Sequence, residues 1–214
     1  DVGANAEARP SHLVQFAHLG AAFAEAVLGV DRPRVALLSI GEEAGKGPAL
    51  VVEAHAALAS GSGVEFAGNV EGRNLLDPDA DVVVTDGFTG NVVLKTIEGT
   101  ASVVGGAVRA AARSGPRAAA GGALLQPALR SLRRSMDPDA TGGAILLGLR
   151  GVAIIGHGSA GQEGVANQIR LAARAVSERA TERTEALIER SGVGRGATRP
   201  PAAAAPAGDA PSAP

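Results

Sequence analysis

Short uninterrupted apolar runs alternate along this chain with longer segments whose apolar residues return every three or four positions. Arg34–Ile40, Val64–Arg73 and Val82–Val84 read as strands. Val35–Leu38 in the first and Val82–Val84 in the third are uninterrupted apolar runs, as strands covered on both faces should be. Leu13, Phe16, Ala17, Phe23 and Val27 give an apolar helix face from Arg9 to about Leu28, with Pro10 in the first turn and Gly29 as the stop. A second helix is expected from about Ala49 to Leu58 and a third from Gly90-Asn91 to about Arg113. A long helix is expected from about Gln162 to Arg190. Ala144–Leu149 and Gly151–Ile155 read as further strands, and Asp1–Asn5 as the end of a strand running into a turn. Asp77-Pro78-Asp79 makes a proline turn, and Met136–Ala144 another turn. Strands alternating with helices predict a mainly parallel α/β sheet with helices on both sides.

Two stretches depart from that rhythm. Arg109–Arg134 holds six arginines and no acid. Ser114-Gly115-Pro116 should break its helix, with Gly121-Gly122 preceding a second helical piece. There Leu125, Leu129 and Leu132 form an apolar stripe, and Arg130, Arg133 and Arg134 a basic side. Such a basic amphipathic hairpin suits an anionic surface, lipid or protein, or packs on a twin subunit. From Ser191 the chain is mainly Gly, Ala, Pro and Thr, so residues 191–214 are expected to be disordered. The folded unit is thus expected within residues 1–190.

Composition narrows the chemistry. The chain has no cysteine, which excludes disulfides, thiolate metal sites and a cysteine nucleophile. A net charge of −2 gives no general attraction to nucleic acid or anionic lipid. No run is long and apolar enough to span a bilayer, and the first residues do not read as a signal peptide. Lys46 and Lys95 are the only lysines, and both sit in or just after glycine-bearing loops.

The conspicuous polar residues fall where strands end, and ligands of open α/β sheets bind at the carboxyl ends of strands. Asn5, Glu42, Lys46, Asn69, Glu71, Asp86, Asn91, Lys95, His157 and Ser159 all lie at or just after such ends. In Asp86-Gly87-Phe88-Thr89-Gly90-Asn91, the glycines open a helix whose free N–H groups favour an anion. Asn91, Lys95 and Glu98 follow at i, i+4 and i+7 on one helix face. The same residues also fit a plain glycine turn with a solvated Lys–Glu pair. Gly41–Pro48 places three glycines and Lys46 before a helix, which suits phosphate oxygens or simply an exposed loop. It is not a Walker A loop, because no Ser or Thr follows Gly45-Lys46 and the glycine spacing differs. His157 reads as an acid, a base, an uncharged donor or a structural histidine. His12 and His18 have no acidic or cysteine partner at metal spacing. There is no nucleophile elbow of the Gly-x-Ser-x-Gly kind. Two lysines, several amides and glycine-rich helix entrances instead suit phosphate binding and oxyanion stabilisation.

Taken in order, these motifs resemble the bacterial phosphate acyltransferases, the acyl-acyl carrier protein:phosphate transacylases of phospholipid synthesis. The resemblance is carried by Asp1–Asn5, His12–Ala17, Ile40–Glu43 with Lys46-Gly47, Gly68–Arg73 and Asp86–Lys95. It continues in Glu98-Gly99, Gly142–Ala144 and Gly156–Ser159, and covers residues 1 to about 175. It implies a three-layer α/β/α sandwich related to isocitrate and isopropylmalate dehydrogenases. It implies transfer of a fatty acyl group from acyl carrier protein to inorganic phosphate by a cytoplasmic homodimer that associates peripherally with membrane through Arg109–Arg134. No cofactor, metal or nucleic acid is implied. Under this resemblance Lys46, Asn91, Lys95 and His157 carry the chemistry. Asn5, Glu42, Asn69, Glu71, Asp86, Gly87, Gly90 and Ser159 bind substrate. Members of the family are longer, so the chain is expected to be the carboxyl-terminal part. The alternatives are another phosphate-dependent acyltransferase of the same fold, or an inactive paralogue that dimerises or binds membrane.

Overall fold

The computed structural model describes residues 1–76, 79–135, 142–158 and 160–191, with the side chains of 132–135 and 191 left aside. The turns expected at Asp77-Pro78 and over 136–141, the basic side formed by Arg133 and Arg134, Ser159 and the tail from residue 192 lie outside the described residues.

The centre of the molecule is β1 (Arg34–Ser39), flanked in parallel by β2 (Glu65–Glu71) and β3 (Val82–Val84) in the order β2-β1-β3. The registers align Leu37 with both Asn69 and Val84. Side chains alternate across a strand, so β1 feeds two cores. Val35 and Leu37 pack with Val84 against Leu13 and Ala17 of α1 (Pro10–Phe23) and Val51, Ala54 and Leu58 of α2 (Ala49–Ala59). Ala36 and Leu38 join Val70 on the other face, beneath Leu75, Ala80, Val83 and Val93. An uninterrupted apolar β1 is therefore what two covered faces require. At Gly20, a Cβ would come within 2.6 Å of Val82 Cγ1, so α1 can lie close on β3 only with glycine there. Past Phe23, α1 continues as a π-helical turn over Ala24–Leu28 that ends at Gly29.

α3 (Gly87–Ala111) starts three residues before the expected Gly90, because Asp86 caps it. The chain breaks between α3 and α4 (Pro116–Ser135) at the expected Ser114-Gly115-Pro116, but α4 begins before Gly121-Gly122, where the second piece was expected only after them, and runs on through Pro127. The expected long helix from Gln162 is two helices, α5 (Gln162–Ser177) and α6 (Ala180–Ser191), divided at Arg179 with φ 52°. That break lets Ala175 and Ala180 pack together against Ala26 and Val27.

The region after residue 141 also differs from the expected pair of sheet strands. β4 (Ala144–Ile145) and β5 (Ile154–Ile155) form a small antiparallel ladder of their own. Parallel pairing needs a crossover of about a dozen residues or more, and these segments are joined by fewer. Asp1–Asn5 forms a turn with no strand.

Candidate functional site

All three sheet strands point the same way, so their exits share one edge. At the exit of β1 the chain turns through Gly41–Pro48, and its backbone is tied from three directions. Lys46 N–H donates to the Glu43 carbonyl at 3.0 Å, closing a turn. Asn69 Nδ2, at the end of β2, donates to the same carbonyl at 2.9 Å. Ser39 Oγ donates to the Lys46 carbonyl at 2.8 Å. Gly47 has φ 105°, and a Cβ there would lie 2.9 Å from Ser39 Oγ, so both backbone shape and space demand glycine. The stem of Lys46 folds back over Gly41, where a Cβ would meet Lys46 Cγ at 2.7 Å. Lys46 is exposed, and among the described residues it pairs with no carboxylate.

Asn69 is itself held. Its Oδ1 lies 2.9 Å from Nδ1 of His55 on α2, and the His55 ring stands edge-on to Phe66, with centroids 5.0 Å apart. Both ends of the Asn69 amide are thus engaged within the protein, and the side chain is buried. Glu42 is exposed on the loop, while Glu71 pairs with Arg73 at 3.0 Å.

The exit of β3 is organised around a carboxylate. Asp86 Oδ1 accepts from Thr89 N–H at 2.9 Å. Burial works against the charge on Asp86, but hydrogen bonds from the backbone and hydroxyl of Thr89 and from nearby N–H groups outweigh it. The carboxyl is held below its ordinary range. Residues 1–5 lie across this helix entrance. Asp1 accepts from the N–H groups of Gly3, Ala4 and Asn5 at 2.7–2.9 Å and from Asn5 Nδ2 at 2.8 Å. Its nitrogen reaches the Thr85 carbonyl at 3.2 Å. Asn91 Nδ2 donates to the Val2 carbonyl at 2.9 Å. Gly87 and Gly90 allow this approach: a Cβ at Gly87 would overlap the Asn5 carbonyl oxygen, and one at Gly90 that of Asp1. An N–H group and part of the positive dipole that could hold an anion here are therefore already met by Asp86.

One turn beyond Asn91, Lys95 Nζ donates to Glu98 Oε2 at 2.7 Å and lies 3.2 Å from His157 Nε2, just past β5. An ammonium only donates, so His157 Nε2 accepts and the ring proton sits on Nδ1. Glu98 and His157 stand 3.8 Å apart, too far for a hydrogen bond.

The expected residues therefore fall into three groups. Lys46 and Asn69 share the β1 loop; Asn5, Asp86, Gly87, Gly90 and Asn91 build the entrance of α3; Lys95 and His157 meet across Glu98. Two contributors were not among the expected site residues. His55 stands 14 residues from the asparagine it bonds, and Asp1 organises a turn through its side chain alone. Among the described residues, no three His, Cys, Asp or Glu side chains gather as a metal site. No helix of the described residues is long and apolar enough to cross a membrane.

The sequence profile of a family described as "Fatty acid synthesis protein" matches residues 1–183. The phosphate acyltransferase of Elusimicrobium minutum is 49% identical over 176 residues, covering 82% of this chain and 51% of that protein. That of Thermobifida fusca is 48% identical over 185 residues, covering 85% and 51%. That of Anaeromyxobacter sp. is 46% identical over 217 residues, covering 98% and 60%. The chain spans about half the length of the curated relatives it matches. With a match that runs from its first residue into the first turn of α6, the chain belongs to the fatty acid synthesis protein family that these phosphate acyltransferases represent.

Proposed function

We propose that this chain forms part of an acyltransferase that moves a fatty acyl group from acyl carrier protein to inorganic phosphate, yielding acyl phosphate for phospholipid synthesis. The observation that carries the reading is Lys46. Among the described residues it is an ammonium without a carboxylate partner, on a turn whose backbone is fixed at both its N–H and its carbonyl. A compact, uncompensated cation held in place is suited to an incoming phosphate. Lys95 is different, because Glu98 already balances its charge.

In this mechanism a phosphate oxygen, with Lys46 against the anion, attacks the thioester carbonyl. The C–O bond forms, the C–S bond breaks, and the carrier thiolate leaves. Asn91 and nearby N–H groups meet the developing oxyanion. The thiolate takes its proton from the Lys95–His157 pair. Asn5, Glu42, Glu71, Asp86, Gly87, Gly90 and Ser159 shape the substrate cleft, and Asn69 shares that role through its loop. The sheet is read as part of a three-layer sandwich of the isocitrate dehydrogenase type. The working form is read as a cytoplasmic homodimer that touches membrane through residues 109–134. Leu124 and Leu125 are 84% and 59% exposed on α4, which favours that last element.

The test is formation of acyl phosphate from acyl carrier protein substrate and radiolabelled phosphate, trapped with hydroxylamine. Lys46→Ala should lower turnover about 100-fold, the scale on which single charge-stabilising groups act. Turnover near that of the unmodified protein in Lys46→Ala would refute the assignment. Assay with acyl-CoA in place of the carrier substrate separates this reading from a short-chain acyltransferase. Liposome flotation with no transacylation would favour the membrane-binding paralogue.

A further inference from the structure

We propose that Asn69 is a positioning residue for Lys46, acting by fixing the Glu43–Lys46 turn rather than by touching substrate, with His55 fixing Asn69 in turn. The proposal rests on the reading of Lys46 as the phosphate-holding group.

Three observations converge on it. The Glu43 carbonyl accepts two hydrogen bonds, from Lys46 N–H at 3.0 Å and Asn69 Nδ2 at 2.9 Å. A carbonyl has two lone pairs, so both are used, and the turn cannot rotate without breaking both bonds. The orientation of the amide follows: Nδ2 faces Glu43, so Oδ1 faces His55 Nδ1 at 2.9 Å, which must carry the proton. His55 is placed by its helix and by its edge contact with Phe66, whose neighbour strand position carries the chain on to Asn69. The line α2–β2–loop thus runs His55, Asn69, Glu43 carbonyl, Lys46 N–H. Asn69 is 9% exposed, and both of its polar ends are bonded inside the protein. Each polar end is turned onto a protein group in a buried side chain, so the amide is spent on holding the loop, and removing either bond would leave a buried donor or acceptor unmet. Ser39 holds the other side of the Lys46 peptide, so releasing Asn69 frees one end of a segment anchored at the other.

The experiment uses the full chain and two substitutions. Asn69→Asp keeps an acceptor toward His55 and deletes the donor to Glu43. His55→Phe keeps an aromatic ring against Phe66 and deletes the donor to Asn69. Amide hydrogen exchange without ligand and titration with inorganic phosphate, both by nuclear magnetic resonance, are measured beside melting temperature. Asn69→Asp should raise exchange at the Lys46 amide tenfold or more and weaken phosphate binding at least fivefold. Exchange at Leu37 and Val70 should stay within twofold of the unmodified protein. His55→Phe should move both readings in the same direction by about threefold, and it carries the test if Asn69→Asp does not fold. With Lys46→Ala as background, Asn69→Asp should cost no further phosphate affinity, because a residue acting through another is not additive with it. Weaker phosphate binding in Asn69→Asp with Lys46 exchange unmoved would make Asn69 a direct ligand and overturn the proposal. An additive loss in the double variant would do the same. If exchange responds as stated but phosphate never shifts the Lys46 amide, the positioning role stands and the phosphate reading of Lys46 fails.

Discussion

Replacing Gly90 by Ala should destabilise the protein, although the same change elsewhere in α3 should stabilise it. Alanine is favoured over glycine in a helix interior by about 1 kcal/mol. At Gly106 nothing lies within 4 Å of an added Cβ, so Gly106→Ala should realise that gain. At Gly90 the methyl would overlap the Asp1 carbonyl oxygen and stand 3.0 Å from Thr85 Cγ2. The helix is the stiffer partner, so residues 1–5 must move off it. Their departure breaks the bond from Asp1 nitrogen to Thr85 and that from Asn91 Nδ2 to Val2. At about 1 kcal/mol each, these losses exceed the propensity gain. Gly90→Ala should therefore lose about 1 kcal/mol, and the two variants should differ by about 2 kcal/mol. For a chain of this size that is about 4–8 °C in melting temperature. Urea denaturation gives the energies, and the Asn91 side-chain amide resonances report whether Val2 has left. Equal stabilisation by both substitutions, with the Asn91 resonances unmoved, would refute the close approach of residues 1–5 to the helix entrance.

Asp86→Ala should cost about 1 kcal/mol at neutral pH, as loss of a helix cap does. The folded-state pKa of Asp86 is lowered, so its contribution is full above the ordinary carboxylate range and is lost as pH falls through the lower folded value. The gap between the two proteins in urea denaturation should narrow with acid over that window. Nε2 of His18 is buried without a hydrogen-bond partner among the described residues, and burial lowers the His18 pKa. The neutral form is the one the fold holds, so stability should be full above about pH 6.5, the ordinary histidine value, and fall below it toward the lower folded pKa. His18→Leu should flatten that slope between pH 7.5 and 5 and raise stability by about 1 kcal/mol; an unchanged slope in thermal scans would count against it. Lys95→Met should remove the donor to His157 Nε2, so nitrogen chemical shifts of the imidazole should lose their preference for the Nδ1–H tautomer. The Lys95–Glu98 pair is part-exposed, so stability should change by less than about 1 kcal/mol.

Much of the sheet was legible because burial on two faces leaves a plain trace. β1 and β3 read as unbroken apolar runs, and the structure covers both faces of β1. The limits of the first helix were legible from Pro10 and Gly29, with the π-helical turn carrying α1 on to that glycine. The split of the last helix was not, since Arg179 in a left-handed conformation is set by the packing of Ala175 on Ala180 and no glycine announces it. Nor was the small β4–β5 ladder, because an apolar run does not say which partner it pairs with, and short linkers decided the matter. At the strand ends, residue types pointed to polar loops, yet not to who bonds whom. Asn69 reads from sequence as an amide at a strand end; only its burial shows both ends engaged. The glycines of Asp86–Asn91 read as an anion cradle or a plain glycine turn, and neither reading announces that Gly87 and Gly90 make room for the backbone of residues 1–5.

The two asparagines at this edge do the same physical task. Asn69 Nδ2 holds the Glu43 carbonyl across 26 residues, and Asn91 Nδ2 holds the Val2 carbonyl across 89. Each fastens a loop to a strand or helix of the core through a backbone carbonyl. Loops usually pay for function with mobility, because they bury little and bond little. Here an amide from a rigid element substitutes for buried area. The Lys46 turn and the cover over α3 can therefore be exposed at a sheet edge and still hold their shape before any ligand arrives. That is the condition under which fixed donors stabilise developing charge without first reorganising. Asp86 caps its own helix, whereas Lys46 pairs with no carboxylate among the described residues.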